Sequence, residues 1–254
     1  MRQIKTLSFA TFKEGVRSRQ FLSVVVFDIL MLLSALVMSE MSFSERTKIV
    51  EDVGLSFIVL FGLVVTLYVG MELIYKEIDR RTIYIILSKP VSRRSFILGK
   101  YFGLLLLILA HLFLMIITLL VLFYFYVGSV EIHLLKAVYM TFLELSIIAA
   151  VTVLFSSFST PQVAGFSALS FYIIGQSTSI IGAYLSRQKG GFKYLMEVIF
   201  GIFPKLGYLD IKMQIVHKLP ISSAKFLYAT VYSIAYILVV LIIAVLVFDR
   251  REFK

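Results

Sequence analysis

Apolar residues in this chain come in long runs, with neither the three-and-four spacing of a soluble helix nor the alternation of a surface strand. Leu104 to Leu122 is almost unbroken hydrocarbon around His111. A bilayer core about 30 Å thick needs about 20 apolar residues in a helix rising about 1.5 Å per residue. Six stretches qualify: Phe21 to Met38, Leu55 to Tyr75, Tyr101 to Val127, Leu134 to Phe155, Val163 to Tyr184 and Phe226 to Phe248. A barrel strand would alternate over about ten residues, which these runs do not. The pattern predicts an all-α integral membrane protein of six transmembrane helices in one domain, residues 1–254. An even span count puts both termini on one side. No signal peptide is expected, because the first apolar run follows twenty mostly polar residues and lacks a small-x-small cleavage site.

Before the first span, Ile4, Leu7, Phe9, Phe12 and Val16 share an arc of about 200° at 100° per residue, and Arg2, Lys13, Glu14 and Arg17 fill the other side. Residues 1–20 are expected to hold an amphipathic elbow helix lying flat at the membrane surface. Composition agrees with a bilayer environment: 60% of the 254 residues are hydrophobic and 16% charged, and the mean hydropathy is +0.96. A soluble enzyme or a disordered chain is excluded on that balance. The formal charge of +10 is read as cytoplasmic loops meeting anionic headgroups or a protein partner, with no nucleic acid. Fifteen of the 25 Lys and Arg fall inside if the termini are cytoplasmic, among them Arg2, Lys5, Lys76, Arg80, Arg81, Lys89, Arg93, Lys100 and Arg250. The segment 185–225 opposes this with seven basic residues placed outside. It is long enough to translocate despite them. Its stretch Tyr194 to Phe203 is too short to span, so a re-entrant or interfacial helix broken at Pro204 and Gly207 is expected. The chain has no cysteine and only three histidines, and no metal or cofactor site is expected in it.

The loop between spans two and three, residues 76–100, is charged at both ends and apolar in the middle. A short helix bearing Ile83, Ile85, Ile86 and Leu87 should end near Ser88, because the residue before Pro90 is driven from helical geometry. Ser92 can then cap the helix that runs into span three. A short helix pinned by a proline turn between two membrane helices can carry force from a soluble partner into the bilayer. The plainer reading is a snorkelling basic loop that only sets topology.

The run Glu77-Ile-Asp-Arg-Arg-Thr-Ile, followed by Leu87-Ser-Lys-Pro-Val-Ser-Arg93 and Leu98-Gly-Lys100, resembles the cytoplasmic loop of permease subunits of type 2 ABC transporters. Phe203-Pro-Lys-Leu and Phe248-Asp-Arg-Arg-Glu-Phe253 are also similar to family features, while Arg81 stands where the family often has glycine. The resemblance implies an elbow helix and a coupling helix that docks on a nucleotide-binding subunit. It assigns that contact to Glu77, Asp79, Arg80, Arg81, Thr82, Ser88, Lys89, Pro90, Ser92 and Arg93. A phosphate-binding loop needs Gly-x-x-x-x-Gly-Lys and then Ser or Thr. Here Gly99-Lys100 is followed by Tyr101, and Arg94 occupies the place of the first glycine. Catalysis is thus expected on a separate ATPase carrying ATP and magnesium, in two copies. The six-span count implies two permease copies, or this chain with a similar one. The resemblance further implies a bacterial or archaeal cytoplasmic membrane and export rather than import.

Within the spans, Glu144 is a costly intramembrane carboxylate that needs a partner. His111, at similar depth on span three if the two helices are antiparallel neighbours, is the expected one. Interhelical hydrogen bonding is favoured for this pair over a substrate, proton or metal role. Gln176, with Ser177, Thr178 and Ser179, is placed to line a path or to bond between helices. Asp28 is placed to pair with an Arg or Lys of the elbow, and Gly165, Gly175 and Gly182 to permit close packing. Competing functions are an intramembrane protease or lipid-modifying transferase and a non-transporting anchor for an ATPase. The first has no His-Glu-x-x-His and no aspartate-rich pair, and Ser167 in Gly165-Phe-Ser-Ala is read as a packing hydroxyl.

Overall fold

A computed structural model of the chain describes residues 2–40, 46–79, 92–127, 131–185, 196, 198 and 200–250. Its regular elements are helical: α1 (Arg2–Val16), α2 (Arg19–Glu40), α3 (Arg46–Glu72), α4 (Tyr75–Asp79), α5 (Arg93–Val127), α6 (Leu134–Ser156), α7 (Pro161–Leu185), a 3-10 turn (Leu206–Tyr208), α8 (Lys212–Val216) and α9 (Ser223–Asp249). α3, α5, α6 and α9 each have the length and apolarity of a membrane crossing, and α2 carries the shorter apolar stretch Phe21–Ser34.

Local chemistry fixes where these helices begin. Ser18 closes one and opens the next: its hydroxyl donates to Gly15 O (2.7 Å) and accepts from Phe21 N (3.1 Å). The expected cap at Ser92 is present, its Oγ accepting from Ser95 N at 3.2 Å. Pro161 takes the first position of α7, where its missing N–H costs nothing, and Ser222 caps α9 through Ala224 N. α5 starts at Arg93, earlier than the apolar run, so its 35 residues reach about 52 Å. That exceeds the hydrocarbon thickness of about 30 Å.

α6 is the centre of the bundle, packed by α3, α5, α7 and α9, and sixteen of its 23 residues are buried. Small side chains let the neighbours approach. On α3 the glycines recur every eight residues, where Gly54 meets Leu119, Gly62 meets Leu145 and Gly70 meets Thr152. Tyr101 on α5 donates to Ser146 O (3.3 Å), and Ser156 on α6 donates to Met71 O (3.2 Å).

α1 packs along α5, with Ser8, Thr11 and Gly15 facing inward and buried or closely packed, while Phe9 is 63% exposed. The buried ridge is therefore small and polar, displaced from the apolar arc the sequence predicts, because α5 offers glycines there. An added Cβ at Gly99 would meet Leu7 at 2.6 Å, and one at Gly103 would meet Thr11 Cβ at 2.5 Å and the Ser8 carbonyl oxygen at 2.8 Å. A carbonyl cannot rotate aside as a side chain can. Gly103→Ala should therefore lift α1 from α5, costing about 1–3 kcal/mol as overpacking, and should speed tryptic cleavage after Lys13 and Arg17, which are already exposed with the helix packed. Gly182→Ala, whose Cβ meets nothing within 4 Å, is the control expected to leave the digestion pattern and thermal transition unchanged.

Candidate functional site

Glu77 lies on α4, and its Oε1 is 2.8 Å from the Nζ of Lys100 on α5. Lys100 is 4% exposed, and its ammonium lies 5.7 Å from the Phe96 ring centroid. The pair joins the two ends of the segment 80–91 and stands beside α1, since Thr11, Glu14, Gly15 and Ser18 share its crevice with Glu72 and Lys76. Arg93, at the first turn of α5, donates to the carbonyls of Phe248 (3.1 Å) and Asp249 (2.9 Å) at the end of α9. A cation on those orphan carbonyls satisfies them and complements the helix dipole. Phe96 stacks on Phe248 beneath it, at 5.6 Å between centroids. Of the loop residues singled out in the sequence, Glu77, Ser92 and Arg93 thus meet at one end of the bundle with α1 and the end of α9. Asp79 closes α4. Arg80, Arg81, Thr82, Ser88, Lys89 and Pro90 lie outside the described residues.

The polar residues inside the helices do not pair as expected. His111 is fully buried on α5 and faces α2, where its Nε2 is 3.3 Å from Asp28 Oδ2. The two are within ion-pairing reach but without hydrogen-bond alignment. The Phe21 ring stands edge-on to the imidazole at 6.1 Å. Asp28 is therefore occupied inside the bundle instead of by an elbow cation, and His111 is not the partner of Glu144. Equal depth on antiparallel helices fixes height, while rotation about each axis decides which face meets which neighbour.

Glu144, on α6 and 2% exposed, instead accepts from Gln176 Nε2 on α7 and bonds Tyr172 one turn earlier on the same helix. Asp210 and Lys212 are the charges near enough to act on it. They belong to the segment that follows Pro204, which packs back onto the helices; of the stretch 194–203 expected to form a re-entrant or interfacial helix, 194, 195, 197 and 199 lie outside the described residues. The 3-10 turn packs on α7, where Gly175 admits the Pro204 carbonyl and Leu206. Leu206, Leu209, Ile211, Ile215 and Val216 are buried. Two α9 tyrosines pin its start: Tyr236 donates to Ile202 O (3.0 Å), and Tyr232 accepts from Lys205 N (2.8 Å). The cluster of Tyr172, Gln176 and Glu144 thus sits where α6 and α7 meet the segment after Pro204. Sequence reasoning found Glu144 and Gln176 and missed Tyr172, although positions 172 and 176 share a helix face.

Among the described residues, the contacts at these sites anchor helix ends, pack side chains and pair charges. No functionally described protein aligns significantly with the chain. The family model for "ABC-2 family transporter protein" matches residues 10–253, from α1 past the end of α9. That match takes in the loop base, the buried polar cluster and the segment after Pro204, and the chain belongs to the ABC-2 transporter family.

Proposed function

We propose that the chain is the membrane-spanning permease of an ATP-driven exporter, crossing the bilayer six times with both termini cytoplasmic. Residues 76–100 dock on a separate ATPase that holds ATP and magnesium, two ATPase copies serving two permease copies. The observation that carries the reading is the bracing of the loop base. Glu77 pairs with Lys100, Arg93 holds the end of α9, and α1 lies against α5 at Gly99 and Gly103. A push on residues 80–91 would therefore reach α1, α5 and α9 together instead of dissipating in one helix. Such a rigid-body element is what a two-state transport cycle needs. The plainer topological reading of the loop gives no reason for a buried lysine at its base.

Copurification with an ATPase encoded beside this chain tests the docking. Charge reversal at Arg80, Arg81 and Lys89 should reduce association at least tenfold. Arg93 is left intact because its guanidinium already serves α9. Association unchanged after residues 80–91 are replaced by a Gly-Ser linker would defeat the proposal.

A further inference from the structure

At the end of the bundle opposite α4, three side chains from two distant parts of the sequence converge. Glu51 is on the second turn of α3, and Glu131 and His133 are in the turn that leads into α6. One donor atom from each lies within 4.8 Å of the other two. His133 Nδ1 is 2.9 Å from Glu131 Oε2, and His133 Nε2 is 3.6 Å from Glu51 Oε1. Glu51 is 1% exposed, yet neither of its carboxylate oxygens has a hydrogen-bond partner, and neither does His133 Nε2. The nearby cation does not resolve this. Lys218 Nζ goes to Glu131 Oε1 at 3.2 Å, leaving the deeper carboxylate without a direct partner.

Buried polar groups are ordinarily satisfied, and a buried carboxylate without a donor is costly. Here the unsatisfied atoms face each other. If Nδ1 carries the ring proton and donates it to Glu131, the Nε2 lone pair points toward Glu51, and two acceptors meet with nothing between them. A cation removes that conflict. Two donors on one tetrahedral zinc ion, at about 2.0–2.2 Å each, lie about 3.3–3.5 Å apart, close to the observed 3.6 Å. A carboxylate on the remote ring nitrogen is the usual way a ligating histidine is oriented. Mixed imidazole and carboxylate donors favour borderline divalent transition metals over magnesium or calcium, which take oxygen shells.

We propose that Glu51, Glu131 and His133 form a binding site for a divalent transition metal of the zinc class. Glu51 and His133 Nε2 ligate, and Glu131 orients the imidazole and lies within reach of the ion. The site ties the start of α3 to the start of α6, so occupancy would brace the end of the bundle remote from the loop. It requires neither the ATPase partner nor transport.

The test uses the full chain, purified without a polyhistidine tag, stripped with a chelator and dialysed against Zn2+ or Mg2+. One zinc per chain by elemental analysis, retained in excess Mg2+, is expected. Zinc should also protect His133 from diethyl pyrocarbonate, read by mass spectrometry with His217 as the unprotected comparison. Glu51→Gln and His133→Asn should each lose the stoichiometric zinc, and Glu131→Gln should weaken it about 10–100-fold, as for an orienting carboxylate. Absence of zinc binding in the unmodified chain would refute the site. Equal binding of Mg2+, or zinc retained by both ligand variants, would refute it as well. The protection assay on the unmodified chain decides the matter even if a variant fails to fold.

Discussion

Replacing His111 with leucine should destabilise the bundle by about 3 kcal/mol, and replacing Asp28 and His111 together with leucine should restore most of the loss. Both side chains have zero exposure, and Asp28 has no hydrogen bond to fall back on. Asp28 and His111 form an ion pair only with the imidazole protonated, and in that state removing one member costs about 3–5 kcal/mol, because the other is left uncompensated in a medium that cannot solvate it. The lower edge of that range applies here, since a chain unfolded within a bilayer finds substitute partners for its polar groups. Substituting both with apolar groups of similar volume removes the polar atoms altogether, which is often neutral or stabilising. Equilibrium unfolding in mixed micelles of the four chains of this double-mutant cycle measures the coupling. A double variant as unstable as the sum of the singles would show that the two residues do not act on each other. Asp28→Asn is a useful intermediate. It keeps shape while removing any charge, so a small cost there together with a large cost at His111→Leu would show that the charge of Asp28 does not carry the interaction.

The same pair shows how far sequence reasoning reaches. Hydrophobic runs place helices along the chain because every backbone polar group in a bilayer must be satisfied within its own segment. That constraint is local, and so the apolar cores of the helices are legible. The Ser92 cap is legible for the same reason, as its partners lie within one turn. Rotation of each helix about its axis is a different matter, being set by which small residues allow close approach. His111 and Glu144 match in depth, but α5 turns His111 toward α2, and α6 presents Glu144 to α7. Gly99 and Gly103 explain why α1 buries Ser8 and Thr11 and leaves Phe9 outside. Their role is hidden because a glycine four residues from another on an apolar helix fits many partners. Lys100 belongs to the motif that carries the family resemblance, yet only its proximity to Glu77 assigns it a task. Glu131 and His133 are two residues apart, but Glu51 lies 80 positions before Glu131, and no spacing in the sequence joins it to them.

Breaking the pair at the loop base should separate docking from movement. Lys100 is the more enclosed partner, with side-chain exposures of 5% for lysine and 20% for glutamate. Glu77→Ala therefore leaves an ammonium with little water around it, whereas Lys100→Met leaves a carboxylate that can reach solvent. The glutamate variant should be the less stable of the two, on the scale of about 3–5 kcal/mol for a stranded buried charge. Both leave residues 80–91 intact, so association with the ATPase should stay within twofold. What should fail is transmission, because a push on the loop would no longer pass through α4 into α5. Absence of cysteine from the chain permits spin labels at two chosen sites, and Ile180 and Tyr228, both 74% exposed, lie on α7 and α9 away from the loop. In the assembled complex the distance distribution between them should change on ATP addition in the native chain and stay fixed in either single variant. The exchange Glu77→Lys with Lys100→Glu should recover the change, since it preserves the attraction while reversing its direction. Single variants that still move, or an exchanged pair that folds and binds the ATPase yet stays fixed, would show that force enters the membrane by another route.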